Sequence, residues 1–262
     1  MSALLAAVDA GYEAPTTADF WKPVFGHGAF AVTLPMIVIM ATVVILSAWL
    51  LLTTRKVAIV PGKSQFFTEQ VYGLVRNGVA RDIIGSKDFL RFVPLLFTMF
   101  VLILLNNLFG VIPPIQFPTM SRIGFPLALS LIVFVIFHWI GFRKHGFAGY
   151  FKHLIPPGLP AAVLILVIPL ELITYFFTRP VTLALRLFGN MFAGHLLLVL
   201  FISAGEYLTL HSGSIPLAGV GIFSWLFAGV MTAFEVFIEF LQAYIFVLLS
   251  ALYIAGSLAD EH

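Results

Sequence analysis

Two stretches of this chain, 159–204 and 215–256, stay hydrophobic almost from end to end. As continuous helix each would run about 60 Å or more at 1.5 Å per residue, twice the ~30 Å hydrocarbon core of a bilayer. Either each stretch is two ordinary spans joined by a very tight turn, or each is one long helix lying steeply tilted. The second stretch has no polar turn cluster, since Gly219, Gly221 and Gly229 stand isolated among apolar residues. The first contains Pro169 and Pro180, which kink a helix without having to reverse it. Two long, tilted helices forming a hairpin around Glu206 to Pro216 are therefore expected.

Three shorter spans precede them. The first, 30–54, is closed by Arg55-Lys56; the second, 89–112, stops at Pro113-Pro114; the third, 124–142, is closed by Arg143-Lys144. The polar stretch 57–88 lies between the first two. Within it Phe66, Phe67, Val71, Leu74 and Val75 can share one helical face, with Glu69, Arg76 and Asn77 elsewhere. That pattern suits a short helix lying at the membrane surface, an ordinary loop helix being the alternative. The expected fold is all-α integral membrane: about five crossing helices and a short interfacial helix, in one membrane domain over 1–262. Composition agrees. The 262 residues are 61% hydrophobic and 10% charged, whereas a soluble domain keeps roughly 25% charged.

A net charge of +2 gives no basic surface for nucleic acid, and the absence of cysteine excludes disulfides and thiolate metal sites. The segment 1–29 begins with Asp9, Glu13 and Asp19 and no basic residue before Lys22, so no cleaved signal is expected there. Seven basic residues lie between the first two spans or at the very start of the second (Arg55, Lys56, Lys63, Arg76, Arg81, Lys87, Arg91) and three follow the third (Arg143, Lys144, Lys152), while only Lys22 and Arg122 fall on the other side. By the positive-inside rule the amino terminus is outside, and with five crossings the carboxyl terminus is cytoplasmic.

Charged side chains near the bilayer centre cost about 2.5–3.5 kcal/mol on insertion scales, so each needs a reason. The long hairpin holds Glu171, Arg179, Arg186, His195, Glu235 and Glu239, besides Asn190 and Gln242. At 100° per residue, Asn190 falls about 40° from Arg186 and Arg179 about 20°. Gly189, Ala193 and Gly194 flank the same side, and small residues let another helix come close. His195 points about 180° away, so arginine and histidine serve different partners. On the second long helix Glu235, Glu239 and Gln242 lie within about 60° of one another. The histidine face can meet that stripe across the hairpin, forming an embedded cluster of groups able to take up and release protons. Arginine stays protonated and is no relay; a fixed positive charge favours an ionised carboxylate and repels a passing proton.

Blander roles compete. Arg179 and Glu171 suit an interfacial position where long side chains snorkel. Glu206 and His211 suit a solvated turn. A structural salt bridge from Arg186 to Glu235 or Glu239 would satisfy both charges without transport. Asn106-Asn107 suit interhelical amide bonding, and His138 beside Trp139 suits the interface.

The block Pro180-Val-Thr-Leu-Ala-Leu-Arg186-Leu-Phe-Gly-Asn190-Met-Phe-Ala-Gly-His195 resembles the a subunit of F-type ATP synthases. So do the run from Glu235 to Tyr244, Asn106-Asn107-Leu108-Phe109-Gly110, and the end Asp260-Glu261-His262. The resemblance covers the chain from the first span onward. It implies that Arg186 is the stator arginine facing the carboxylate of a rotating c-subunit ring, with Asn190 and Gln242 close by. It implies that His195 and Glu235 form the outer half-channel pair, with the acid and the imidazole exchanged relative to some members. Glu239 would extend that path, and Glu171 would belong to the cytoplasmic one. The implied partners are the c-ring, b-type peripheral stalk subunits, the rest of the complex and membrane lipid, in the plasma (inner) membrane of a bacterium. Neither cofactor nor metal is implied, and nucleotide chemistry would lie on other subunits, since no G-x-x-x-x-G-K-[ST] loop occurs here.

Two other functions fit a membrane arginine. An anion transporter would use Arg186 as counter-ion, but such folds show repeated halves and none is visible. A haem- or quinone-binding subunit would need inward-facing histidines on facing helices, and only His195 is clearly deep.

Overall fold

Where sequence is apolar without a break, the backbone must satisfy its own hydrogen bonds, and helix is the outcome. The computed structural model describes residues 23–25, 32–55, 57–112, 119–153 and 160–259. The acidic start up to Lys22, the Pro113-Pro114 stop and the Asp260-Glu261-His262 end lie outside the described residues. The helices are α1 Leu34–Thr54, α2 Lys63–Val75, α3 Val93–Leu108, α4 Gly124–His153, α5 Ala161–Ile173, α6 Arg179–Leu210 and α7 Ile215–Leu258. A small antiparallel ribbon, β1 Pro23–Phe25 with β2 Val32–Thr33, precedes α1; no pattern in the sequence announced it.

Four helices are long and apolar enough to cross a membrane: Leu34–Thr54, Gly124–Lys152, Val163–Leu210 with 48 residues, and Ile215–Leu258 with 44. The two-span alternative for the long stretches is thereby removed. Pro180 lacks the N–H that would bond one turn back, and the backbone there adopts a wider π-helical turn, Thr174–Thr178, before continuing. The expected second span is shorter than 89–112. Its first turn is a 3₁₀ turn, Phe89–Arg91, beside an Asp88–Arg91 ion pair at 3.3 Å. The α-helix proper then has 16 residues, about 24 Å long and less than the bilayer core. Four full-length apolar helices stand where about five were expected.

A short helix over the stretch Phe66–Val75 exists as α2, prolonged by a π-helical segment Arg76–Ile84 that ends at Gly85 with φ 92°. Its inward side carries Gln65, Thr68 and Val75. The Gln65 side chain holds the preceding loop by accepting from the Ala58 N–H and donating to the Ala58 carbonyl. Phe66 and Phe67 point outward, 53% and 61% exposed.

The chain forms two compact units. One comprises Met1–Ala41, Asn106–Ser121 and Gly189–Phe240; the other comprises Thr42–Leu105, Arg122–Phe188 and Leu241–His262. In the first, the end of α6 and the start of α7 turn through Gly213, whose φ of 60° favours glycine. The two helices approach closely because Gly205 and Gly221 carry no Cβ: Trp225 covers Gly205, and Gly221 abuts the Thr209 backbone N–H and the Gly205 carbonyl. Ser224 Oγ donates to the Phe201 carbonyl at 2.8 Å, and the Trp225 indole donates to that of Ile202 at 3.3 Å. A Cβ at Gly221 would lie 2.8 Å from the Thr209 nitrogen and 2.9 Å from the Gly205 oxygen, backbone atoms that cannot swing aside. Gly221→Val is expected to cost about 1–3 kcal/mol, read as a lower unfolding midpoint in detergent, with Gly219→Val, which meets nothing within 4 Å, as the control.

In the second unit, α4 passes its expected end and bends at Gly146, φ 69°, so that the Tyr150 ring lies over Gly141. Tyr150, Phe134, Phe137, Phe142 and Phe176 surround His138, with ring centroids 4.0–6.3 Å away.

Candidate functional site

In the first unit, α6 and α7 bring three of the expected site residues indoors. His195 is 3% exposed, Glu235 7% and Glu239 1%. Gly194 makes room for the acid: a Cβ there would stand 2.9 Å from Glu235 Oε1. The His195 ring hydrogen-bonds the backbone at Gly110, and Asn107 Nδ2 donates to the main-chain carbonyl of Glu239 at 3.4 Å. Glu235 and Glu239 are near enough for their charges to interact, as two carboxylates one helical turn apart must be.

Among the described residues, both carboxyl oxygens of Glu239, Oε1 of Glu235 and Oδ1 of Asn107 find no hydrogen-bond partner. Burying a polar group without one costs roughly 1–3 kcal/mol, so a fold shaped only for stability would not place them there. Among the described residues no set of three histidine, aspartate or glutamate side chains converges as a metal site would. The cluster offers protonatable groups beside one another, held by main-chain contacts, and little else.

The Arg186 side of α6 differs. Arg186 is exposed, as are Thr182 one turn before it and Asn190 one turn after, while Leu183 and Leu187 are buried. Further along, Ala193 and Leu197 are exposed and His195 and Leu198 are buried. Among the described residues Arg186 has neither ion-pair nor hydrogen-bond partner. Gln242 is buried, 8% exposed, and Glu171 is half-buried on α5.

Two residues have partners within the protein that the sequence did not specify. His138 is 5% exposed, with Nδ1 2.9 Å from the Phe134 carbonyl; its neighbour Trp139 is the exposed one, at 66%. The Arg179 guanidinium sits 3.4 Å over the Tyr175 ring and 5.0 Å from that of Tyr253. Tyr175 lies four residues before Arg179, and that spacing was the available signal. The contacts of Asn107 and Gly110 with the cluster had no such signal, because they join positions distant in sequence.

The family model described as ATP synthase A chain matches residues 34–255. The chain is 47% identical to the ATP synthase subunit a of a Nocardioides species, over 96% of this chain and 95% of that one. It is 45% identical to the same subunit of Pseudarthrobacter chlorophenolicus, over 87% and 85% respectively. For Streptomyces lividans the identity is 41%, over 87% and 80%.

Proposed function

Because this chain belongs to the ATP synthase A chain family, we propose that it is the stationary proton-conducting subunit of a bacterial synthase, working against a rotating c-subunit ring. Arg186 is the stator charge. Protons from outside pass His195, Glu235 and Glu239 and neutralise a ring carboxylate, which can then face lipid while the ring turns. Near Arg186 the carboxylate ionises again, releasing its proton towards a cytoplasmic path that includes Glu171. Asn190 and Gln242 provide polar contacts beside the arginine. The chain crosses the plasma membrane about five times, amino terminus outside, with its two 40-residue-class helices steeply tilted because upright they would exceed the bilayer twofold. The b-type stalk subunits hold it still.

One observation carries this reading: an arginine exposed on a long apolar helix, with neither ion-pair nor hydrogen-bond partner among the described residues. A charge is tolerated in hydrocarbon only when something pairs with it, and a ring carboxylate is the pairing group that this reading supplies. Each proton crossing 100 mV contributes about 2.3 kcal/mol, so several must accumulate as rotation before one ATP forms elsewhere in the complex.

The pairing of His195 with Glu235 is tested by exchange. In inverted vesicles, His195→Glu combined with Glu235→His is expected to conduct several-fold more protons than either single variant. A double variant no better than the singles would show that the two residues do not share a task.

A further inference from the structure

A cavity of about 510 Å³ lies in the second unit among α1, α2 and α3. None of the proton-path residues lines it. Ring contacts hold its walls together: Trp49 of α1 meets Phe67 of α2 at 6.2 Å, and Tyr72 of α2 meets Phe97 of α3 edge-on at 5.6 Å. Leu50, Val57, Pro94 and Phe97 make the apolar part of the lining. The polar part is Thr53, Thr54, Gln65, Thr68, Glu69 and Thr98, besides the Tyr72 side chain.

This polar lining has few hydrogens left to donate. Thr53, Thr54, Thr68 and Thr98 each give their hydroxyl hydrogen to a carbonyl one helical turn back, at 2.6–2.9 Å. A hydroxyl has one hydrogen and two lone pairs, so each of the four can then only accept. Gln65, 9% exposed, commits both amide hydrogens, one to the Ala58 carbonyl at 3.0 Å and one to Glu69 Oε1 at 2.7 Å. That bond fixes one oxygen of an exposed carboxylate, and the other oxygen has no partner among the described residues. Among the described residues no lysine, arginine or histidine lines the cavity. The Tyr72 hydroxyl is the one lining side-chain group with a hydrogen to give.

We propose that this cavity binds the primary ammonium headgroup of an aminophospholipid. The three N–H donors of such a group meet the Glu69 carboxylate and the threonine hydroxyls, and the upper part of an acyl chain lies along Leu50, Val57 and Phe97. A lining of acceptors with one negative charge rejects anions and selects a cation that brings its own hydrogens, since charge-assisted hydrogen bonds are the strong ones. A quaternary choline carries the same charge but no N–H, and leaves those acceptors unsatisfied. A soluble amine has no use for the apolar wall. The depth suits a lipid headgroup as well: α1 ends at Thr54 and Arg55-Lys56 follow it, the level at which a spanning helix meets the headgroup layer. The rival occupant is the ammonium of Lys56, one residue before Val57 in sequence and outside the described residues.

The test uses the intact synthase in detergent with a photoactivatable phosphatidylethanolamine, the phosphatidylcholine and phosphatidylglycerol of the same acyl chains, and mass-spectrometric mapping of adducts. Phosphatidylethanolamine is expected to label the segments 50–57 and 94–98 about tenfold more than phosphatidylcholine, the effect of one charge-assisted hydrogen bond. Glu69→Gln keeps an acceptor for Gln65 and removes the charge, and should lower phosphatidylethanolamine labelling about tenfold. Each unit charge near a membrane surface changes anionic-lipid affinity about fivefold. Glu69→Lys, a change of two units, should therefore raise phosphatidylglycerol labelling of the same segments about 25-fold, a gain confined to this site that misfolding does not produce. Equal labelling of the native protein by phosphatidylethanolamine and phosphatidylcholine overturns the proposal. So does displacement by millimolar ethanolamine, which would mark a soluble-amine site, or labelling that emerges only with Lys56→Gln, which would mark that side chain as the occupant.

Discussion

Replacing Arg186 with alanine is expected to abolish both ATP-driven proton pumping and proton-driven synthesis in membrane vesicles, with the complex still assembled. The side chain is exposed and bonds nothing among the described residues, so the fold loses little. What it loses is the charge that would pair with an ionised carboxylate arriving from the ring. Leaving a buried charge unpaired costs about 3–5 kcal/mol, a factor of hundreds or more against the ionised form at that position. Arg186→Lys should recover only part of the function, because an ammonium lacks the planar two-pronged geometry and gives up its proton when desolvated. Wild-type coupling in the alanine variant would sink the reading of Arg186 as stator charge.

Glu239→Leu is expected to move stability and function in opposite directions. The carboxyl is 1% exposed and neither oxygen has a partner among the described residues. Leucine fills similar space and needs no hydrogen bond, so the variant should gain about 1–3 kcal/mol, visible as a higher unfolding midpoint of the membrane sector. Proton flux, lacking one protonatable group in sequence, should fall about a hundredfold, the lower end of the range for losing a positioned proton-transfer group. Asn107 donates to the main-chain oxygen of residue 239, and that bond survives the change. A variant that is stabilised yet conducts normally would remove Glu239 from the path and leave it a structural oddity.

How far the sequence could be read follows from what each feature depends on. Length and hydrophobicity are local, so the continuous 48- and 44-residue helices were legible. Lateral packing was not. A helix apolar all round has no preferred face, and so nothing separated buried His138 from exposed Trp139 beside it. The bend at Gly146 that lays Tyr150 over Gly141 depends on one backbone angle that a glycine permits but does not announce. The short α3 went unrecognised for a related reason: Phe89 and Leu90 continue the apolar run, while the 3₁₀ turn there answers to the ion pair between Asp88 and Arg91. In the candidate site, the acids and the histidine were found by their cost in a membrane. The main-chain partners at Gly110 and the space beside Gly194 were not, since backbone atoms have no sequence signature.

The outward face of α7 has a mechanical meaning. Ile222, Phe223, Leu226, Val230, Phe234 and Phe237 are all exposed, and none of them can form a directional bond. Apolar attraction depends on area and hardly on angle, so a neighbour held by such a surface can be displaced sideways without breaking anything one bond at a time. Hydrogen-bonding residues at the same positions would grip at fixed steps and dissipate energy at each. Under the proposed function, against a partner that must turn, such a row of side chains would act as a greased bearing, keeping the moving part close while presenting almost no friction to its motion.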